Sequence, residues 1–77
     1  MKKIAFIGAG SFAFTRNIVR DLLTFPAFYD CELALMDIHP ERLERITAAC
    51  EKIRTAMERP EVRITSTLSR PEALMGA

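Results

Sequence analysis

Apolar positions change period repeatedly along the chain. Residues 3–7, KIAFI, form a short apolar run closed by glycine, the pattern of a buried parallel strand. From 11 to 25 the period becomes helical. Phe14, Ile18, Val19, Leu22 and Phe25 fall on one stripe, while Arg16, Asn17, Arg20, Asp21 and Thr24 share the wet side. Pro26 stops this helix, because the residue before a proline avoids helical angles. A second apolar run, ELALM at 32–36, is closed by Asp37. Pro40 stands where a first helical turn tolerates it, and Leu43, Ile46, Cys50, Ile53 and Met57 mark a long helix to about residue 59. Glu41 with Arg45, and Arg54 with Glu58, are spaced for pairing on that helix, worth a few tenths of a kcal/mol each. Pro60 ends it. The β-branched stretch VRITST at 62–67 predicts a third strand, and Ser69 with Glu72 is a capping box that opens a short last helix.

The order is βαβαβα. Strands joined by crossover helices lie parallel, with right-handed crossovers. The predicted fold class is therefore α/β, a Rossmann-like half of a doubly wound parallel sheet with strand order 3-2-1. In a complete fold of this kind a fourth strand flanks the first. Without it the first strand is left at an open edge, a place for pairing with a further segment or for homo-oligomer formation. A length of 77 residues fits one small domain, expected to be the N-terminal part of a longer enzyme's dinucleotide-binding domain.

Composition narrows the partners. Hydrophobic residues at 49% and charged residues at 27% describe an ordinary globular chain, not a disordered one. The formal charge is +1, and the basic residues are interleaved with acidic ones, so no basic stripe marks a nucleic-acid surface. No apolar run approaches the ~20 residues of a membrane span. The two lysines before IAFI imitate a signal peptide, but the run is too short and Arg16 follows soon after. Cys31 and Cys50 lack CxxC spacing. One disulfide is conceivable, but reduced thiols in a cytoplasm are the expectation.

The candidate chemistry lies in Gly8-Ala9-Gly10-Ser11-Phe12-Ala13, a G-x-G-x-x-A loop between strand and helix. Gly8 permits the tight turn, Gly10 lets a pyrophosphate approach the backbone, and Ala13 lets helix and strand pack closely. The helix N-terminus offers free N–H groups to phosphates, and Ser11 adds a hydroxyl, as a cap or as a phosphate contact. Asp37 lies 24 residues beyond Ala13, near the ~20 expected of the acid that binds the adenosine ribose. Its charge favours NAD over NADP, with Arg42 close enough to soften that preference. Structural readings stand beside each of these: a plain tight turn for the glycines, a cap for Asp37, core for the phenylalanines. Arg16 and Asn17, a turn beyond the loop, read as a solvated face or as ligand contacts beside the cofactor crevice. Phe12, in the loop, is also placed to touch a dinucleotide. His39 is a turn residue.

The stretches KIAFIGAGSFAFTRNIVRDLL and ELALMDIHPERLE resemble the N-terminus of glycoside hydrolase family 4. The resemblance rests on Gly8-Ala9-Gly10-Ser11, Thr15-Arg16, Met36-Asp37-Ile38 and Glu41-Arg42-Leu43. It covers essentially the whole chain, which would be about the first sixth of a member. It implies NAD⁺ and a divalent metal, usually Mn²⁺. It also implies hydrolysis of a glycoside by transient oxidation at C3 of the sugar, elimination and return of the hydride, outside the usual two-carboxylate mechanism. The implied cofactor contacts are Gly8, Gly10, Ser11, Phe12 and Asp37, with Arg42 a lesser one. The family's metal ligands, catalytic acid and tyrosine base lie beyond these residues. No catalytic or metal-binding residue is therefore assigned here, and the chain alone is expected to be inactive. Tyr29 matches no catalytic motif. Two other readings share the fold: half of a malate- or lactate-type dehydrogenase, and a stand-alone nucleotide-binding module without chemistry.

Overall fold

The computed structural model describes residues 2–77. Strand β1 spans Lys3–Ile7, helix α1 Phe12–Leu22, β2 Glu32–Met36, α2 Pro40–Ala56, β3 Arg63–Thr67 and α3 Arg70–Leu74. A single 3-10 turn, Pro26–Phe28, lies between α1 and β2. The strands form one parallel sheet in the order β1-β2-β3, the expected half of a doubly wound sheet. Lys3 lies opposite Glu32, and Glu32 opposite Arg63, through to Ile7, Met36 and Thr67. The strands therefore end level, and the segments that follow them gather at one edge of the sheet.

The central strand explains its own sequence. Leu33, Ala34, Leu35 and Met36 are all buried, because β2 is covered on both faces. Leu33 and Leu35 join Val19, Leu23, Leu43, Ile46 and Cys50 in the core under α1 and α2. Ala34 points the other way and lines a small cavity with Ala73 of α3, so α3 covers the opposite face. β1, expected as a buried strand, is only half-buried, and Ile7 is 44% exposed. The reason is its place at the end of the sheet, with β2 as its one neighbouring strand among the described residues.

Helix boundaries differ from the apolar pattern in ways that local contacts explain. α1 buries Thr15 and Val19, with Leu23 just beyond its end, whereas Phe14 is 65% and Phe25 55% exposed. Phe14 sits about 100° around the helix from that stripe. Phe25 lies outside the helix, which closes with Phe25 N–H on the Leu22 carbonyl and the Thr24 hydroxyl on that of Asp21. α2 ends at Ala56, short of residue 59, because Glu58 takes a left-handed φ of 56°. Arg54 therefore donates to the Val62 carbonyl at 3.2 Å, and its expected helical pairing with Glu58 falls outside the helix. Arg59 takes over the closure. It donates to the carbonyls of Leu23 and Met57, and its guanidinium lies 3.8 Å from the Tyr29 ring centre. Tyr29 thus has a packing role.

The capping box of α3 forms through an intermediary. Ser69 accepts from the Glu72 N–H at 3.4 Å, but the Glu72 carboxylate accepts from the Thr67 hydroxyl, which in turn accepts from the Ser69 N–H. At the other end of α3, the Lys3 ammonium donates to the Glu72 and Met75 carbonyls at 3.1 and 2.6 Å. A cation on the last carbonyls of a helix satisfies both their lone pairs and the dipole. Lys3→Met is expected to cost about 1–2 kcal/mol. Amide hydrogen exchange checks it: the α3 amides should speed up while those of β2 hold.

Candidate functional site

Level strand ends bring the Gly8 loop and Asp37 together. Gly8 has φ +77°, a conformation that side chains resist, and this turns the chain out of β1. The Ala9 N–H donates to the Met36 carbonyl at 2.8 Å, so the β1–β2 pairing continues into the loop. The Ser11 N–H then closes back onto the Gly8 carbonyl at 3.1 Å.

Gly10 is tight against the protein itself. A Cβ there would stand 2.6 Å from Asp37 Oδ2 and 2.8 Å from Arg42 Cβ. The space that a side chain would take is filled by the Asp37 carboxylate and the base of the Arg42 side chain. The Gly10 N–H donates to Asp37 Oδ2 at 2.8 Å, and the His39 N–H to Asp37 Oδ1 at 2.9 Å. Asp37 is 6% exposed. The His39 N–H is the main cause that holds its carboxyl below the usual carboxylate range. Desolvation opposes this, and the Gly10 N–H and the charges of His39 and Arg42 reinforce it. Each carboxylate oxygen accepts one of these bonds and keeps a second acceptor position. Asp37 does act on the next helix, but through its entry: His39 is the N-cap residue of α2, and Pro40 opens the first turn.

Ser11 is the N-cap residue of α1, yet its hydroxyl makes no capping bond. The first-turn N–H groups of α1 are therefore left for another acceptor. Phe12, expected in the loop, is the first residue of α1 and packs against the core, with the Arg16 guanidinium 5.7 Å from its ring centre. Arg42 is exposed apart from its contact with Gly10, and Asn17 is exposed. The structure thus gathers Gly8, Gly10, Asp37 and Arg42 at one point, with Ser11 and Phe12 beside them at the start of α1. A separate open groove of about 540 Å³ lies between α2 and the end of β3. Pro40, Leu43, Thr47, Ser66 and Leu68 are among its lining residues, and no residue of the loop is.

The family model described as Family 4 glycosyl hydrolase matches residues 3–77. The chain belongs to glycosyl hydrolase family 4. It is 43% identical to an α-galactosidase of Rhizobium meliloti (strain 1021) over 75 residues, 97% of this chain and 15% of that protein. It is 43% identical to an α-galactosidase of Bacillus subtilis (strain 168) over 77 residues, 100% of this chain and 18% of that one. The chain spans less than a fifth of the length of either relative.

In this family 4 chain one residue that shapes the loop carried no role in the sequence reading beyond its place in the family pattern. Thr15 is 2% exposed and its hydroxyl donates to the Ala9 carbonyl at 2.9 Å, tying the loop to α1. A hydroxyl at the centre of an apolar stripe was the available signal. Thr15→Val keeps the shape and leaves that carbonyl unpaired, so a loss of about 1–3 kcal/mol is expected in urea unfolding. The remaining candidates lie apart from the loop chemistry. Cys31 and Cys50 are free, buried thiols. Burial raises both, Cys50 to about 11, so neither is a nucleophile at neutral pH. Among the described residues no group of three or more His, Cys, Asp or Glu could hold a metal ion, and no helix is long and apolar enough to cross a membrane.

Proposed function

We propose that this family 4 chain is the NAD-binding segment of a longer glycosidase, with α-galactosides, on the names of its two relatives, as the substrate class of the complete enzyme. One observation carries the reading. The Asp37 carboxylate is fixed by two backbone N–H groups at the end of β2, each oxygen with an acceptor position to spare, beside an uncapped helix start. The adenosine ribose hydroxyls would donate to Asp37. The pyrophosphate would take the first-turn N–H groups of α1, with the Ser11 hydroxyl as a further donor and Phe12 alongside. A buried negative charge at the ribose position disfavours a 2′-phosphate, so NAD is preferred to NADP, and exposed Arg42 sets the size of that preference.

Bound NAD supplies a hydride acceptor, which on the family resemblance serves transient oxidation of the sugar at C3 before elimination. This chain's residues hold and orient the dinucleotide. The divalent metal that the resemblance implies, Mn²⁺, finds no ligand set among the described residues, and no residue here is assigned to it. Glycosidase activity belongs to the longer protein. The free side of β1 is where a fourth strand of the complete sheet, or a second copy of the chain, would pair.

Calorimetric titration with NAD⁺ and NADP⁺ tests the reading. The wild-type chain should bind NAD⁺ saturably and NADP⁺ more weakly. Asp37→Ala should lower NAD⁺ affinity by about tenfold or more, the loss of hydrogen bonds to a charged group. A folded chain that binds neither dinucleotide would refute it.

A further inference from the structure

We propose that Arg16 is a phosphate contact, its guanidinium laid over Phe12 toward the pyrophosphate of the dinucleotide. The proposal rests on the NAD reading above and adds a cofactor-contacting residue to it.

Arg16 follows Phe12 by four residues on α1, so the two side chains are neighbours on one face. Helical side chains lean toward the N-terminus, which carries a long arginine back to the level of the loop. The distance of 5.7 Å from the Arg16 guanidinium carbon to the Phe12 ring centre places it there, in cation–π range. Its Nε is buried and has no hydrogen-bond partner among the described residues. A buried unpaired donor on a charged group is costly, so the position is held against a penalty.

The sequence that leads up to it is one-sided in charge. Residues 1–20 contain no Asp or Glu, and α1 has no acid in its first turn, where helices favour one. The carboxylate at the loop, Asp37, is already engaged by Gly10 and His39. A cation one turn into an uncapped, acid-free helix start lacks its counter-charge. A pyrophosphate at the first-turn N–H groups would supply it, and a guanidinium held by an aromatic ring is suited to a phosphate by its planar fork of donors.

The test compares wild type, Arg16→Met and Arg16→Lys with three probes: NAD⁺, ADP and adenosine. Arg16→Met should weaken NAD⁺ and ADP about tenfold, leave adenosine unchanged, and flatten the salt dependence of NAD⁺ binding. Arg16→Lys should recover part of the loss and serves alone if the methionine variant does not fold by circular dichroism. Equal NAD⁺ affinity in wild type and both variants, or an equal loss for adenosine, would overturn the role of Arg16 and leave the NAD site standing. A wild-type chain that binds none of the probes would overturn the NAD reading, and Arg16 with it.

Discussion

Gly10→Val is expected to abolish NAD⁺ binding and to destabilise the chain in the same stroke. Even the first carbon of a side chain would stand 2.6 Å from Asp37 Oδ2 and 2.8 Å from Arg42 Cβ. Neither neighbour is a free tip. Arg42 Cβ is anchored to the α2 backbone, and the Asp37 carboxylate is tied to the His39 N–H. The loop must therefore move off Asp37, which breaks the Gly10 N–H bond and displaces the N–H groups at the start of α1. Overpacking of this kind costs about 1–3 kcal/mol, read from the urea midpoint. Gly8→Ala is the contrast. It meets nothing within 4 Å, and its penalty is the positive φ alone, about 1–2 kcal/mol. Wild-type affinity and stability in Gly10→Val would show that the loop and Asp37 are not packed as described.

Asp37→Asn is the second large effect, because an amide cannot replace this carboxylate. Both oxygens accept backbone N–H groups. Whichever way the asparagine turns, its NH₂ faces either Gly10 or His39, donor against donor. Setting that donor against a part-buried N–H costs about 1 kcal/mol, and the ribose loses a charged acceptor. The pH dependence follows from the lowered carboxyl. The folded state binds the Asp37 proton less tightly than the unfolded chain, whose carboxyl titrates near the ordinary 3.8. The stabilisation is therefore complete above that value and drains away as pH falls through it toward the lower folded one. The stability gap between wild type and Asp37→Asn should be flat above about pH 5 and narrow below about pH 4. A gap that does not change with pH would mean that the carboxylate charge plays no part.

What the sequence displayed well was whatever repeats locally. ELALM reads as a strand because four apolar residues follow Glu32 without a break, and β2 is the central strand. The loop after β1 and the acid after β2 were legible because level parallel strands must deliver both to one edge. The failures came from contacts between distant positions. Phe14 and Phe25 matched a helical stripe, but the sheet surface selects Thr15, Val19 and Leu23, and hydrophobicity alone ranks a threonine last. The end of α2 is set by Glu58 in a left-handed conformation, a position that glycine would have announced. Lys3 caps a helix 69 residues away, and Thr67 intervenes in a capping box written as Ser69 and Glu72. The closeness of Gly10 to Asp37 and Arg42 was not legible either: a bare Cα records that something comes close, not what.

The most direct test of the dinucleotide site is an amide chemical-shift titration of the chain with NAD⁺. The amides of residues 8–13 and 37–42, Pro40 excepted, should shift together and saturate, Gly10 and His39 foremost because their N–H groups hold Asp37. Shifts confined to the groove of Leu43, Thr47, Ser66 and Leu68, or none that saturate, would contradict it.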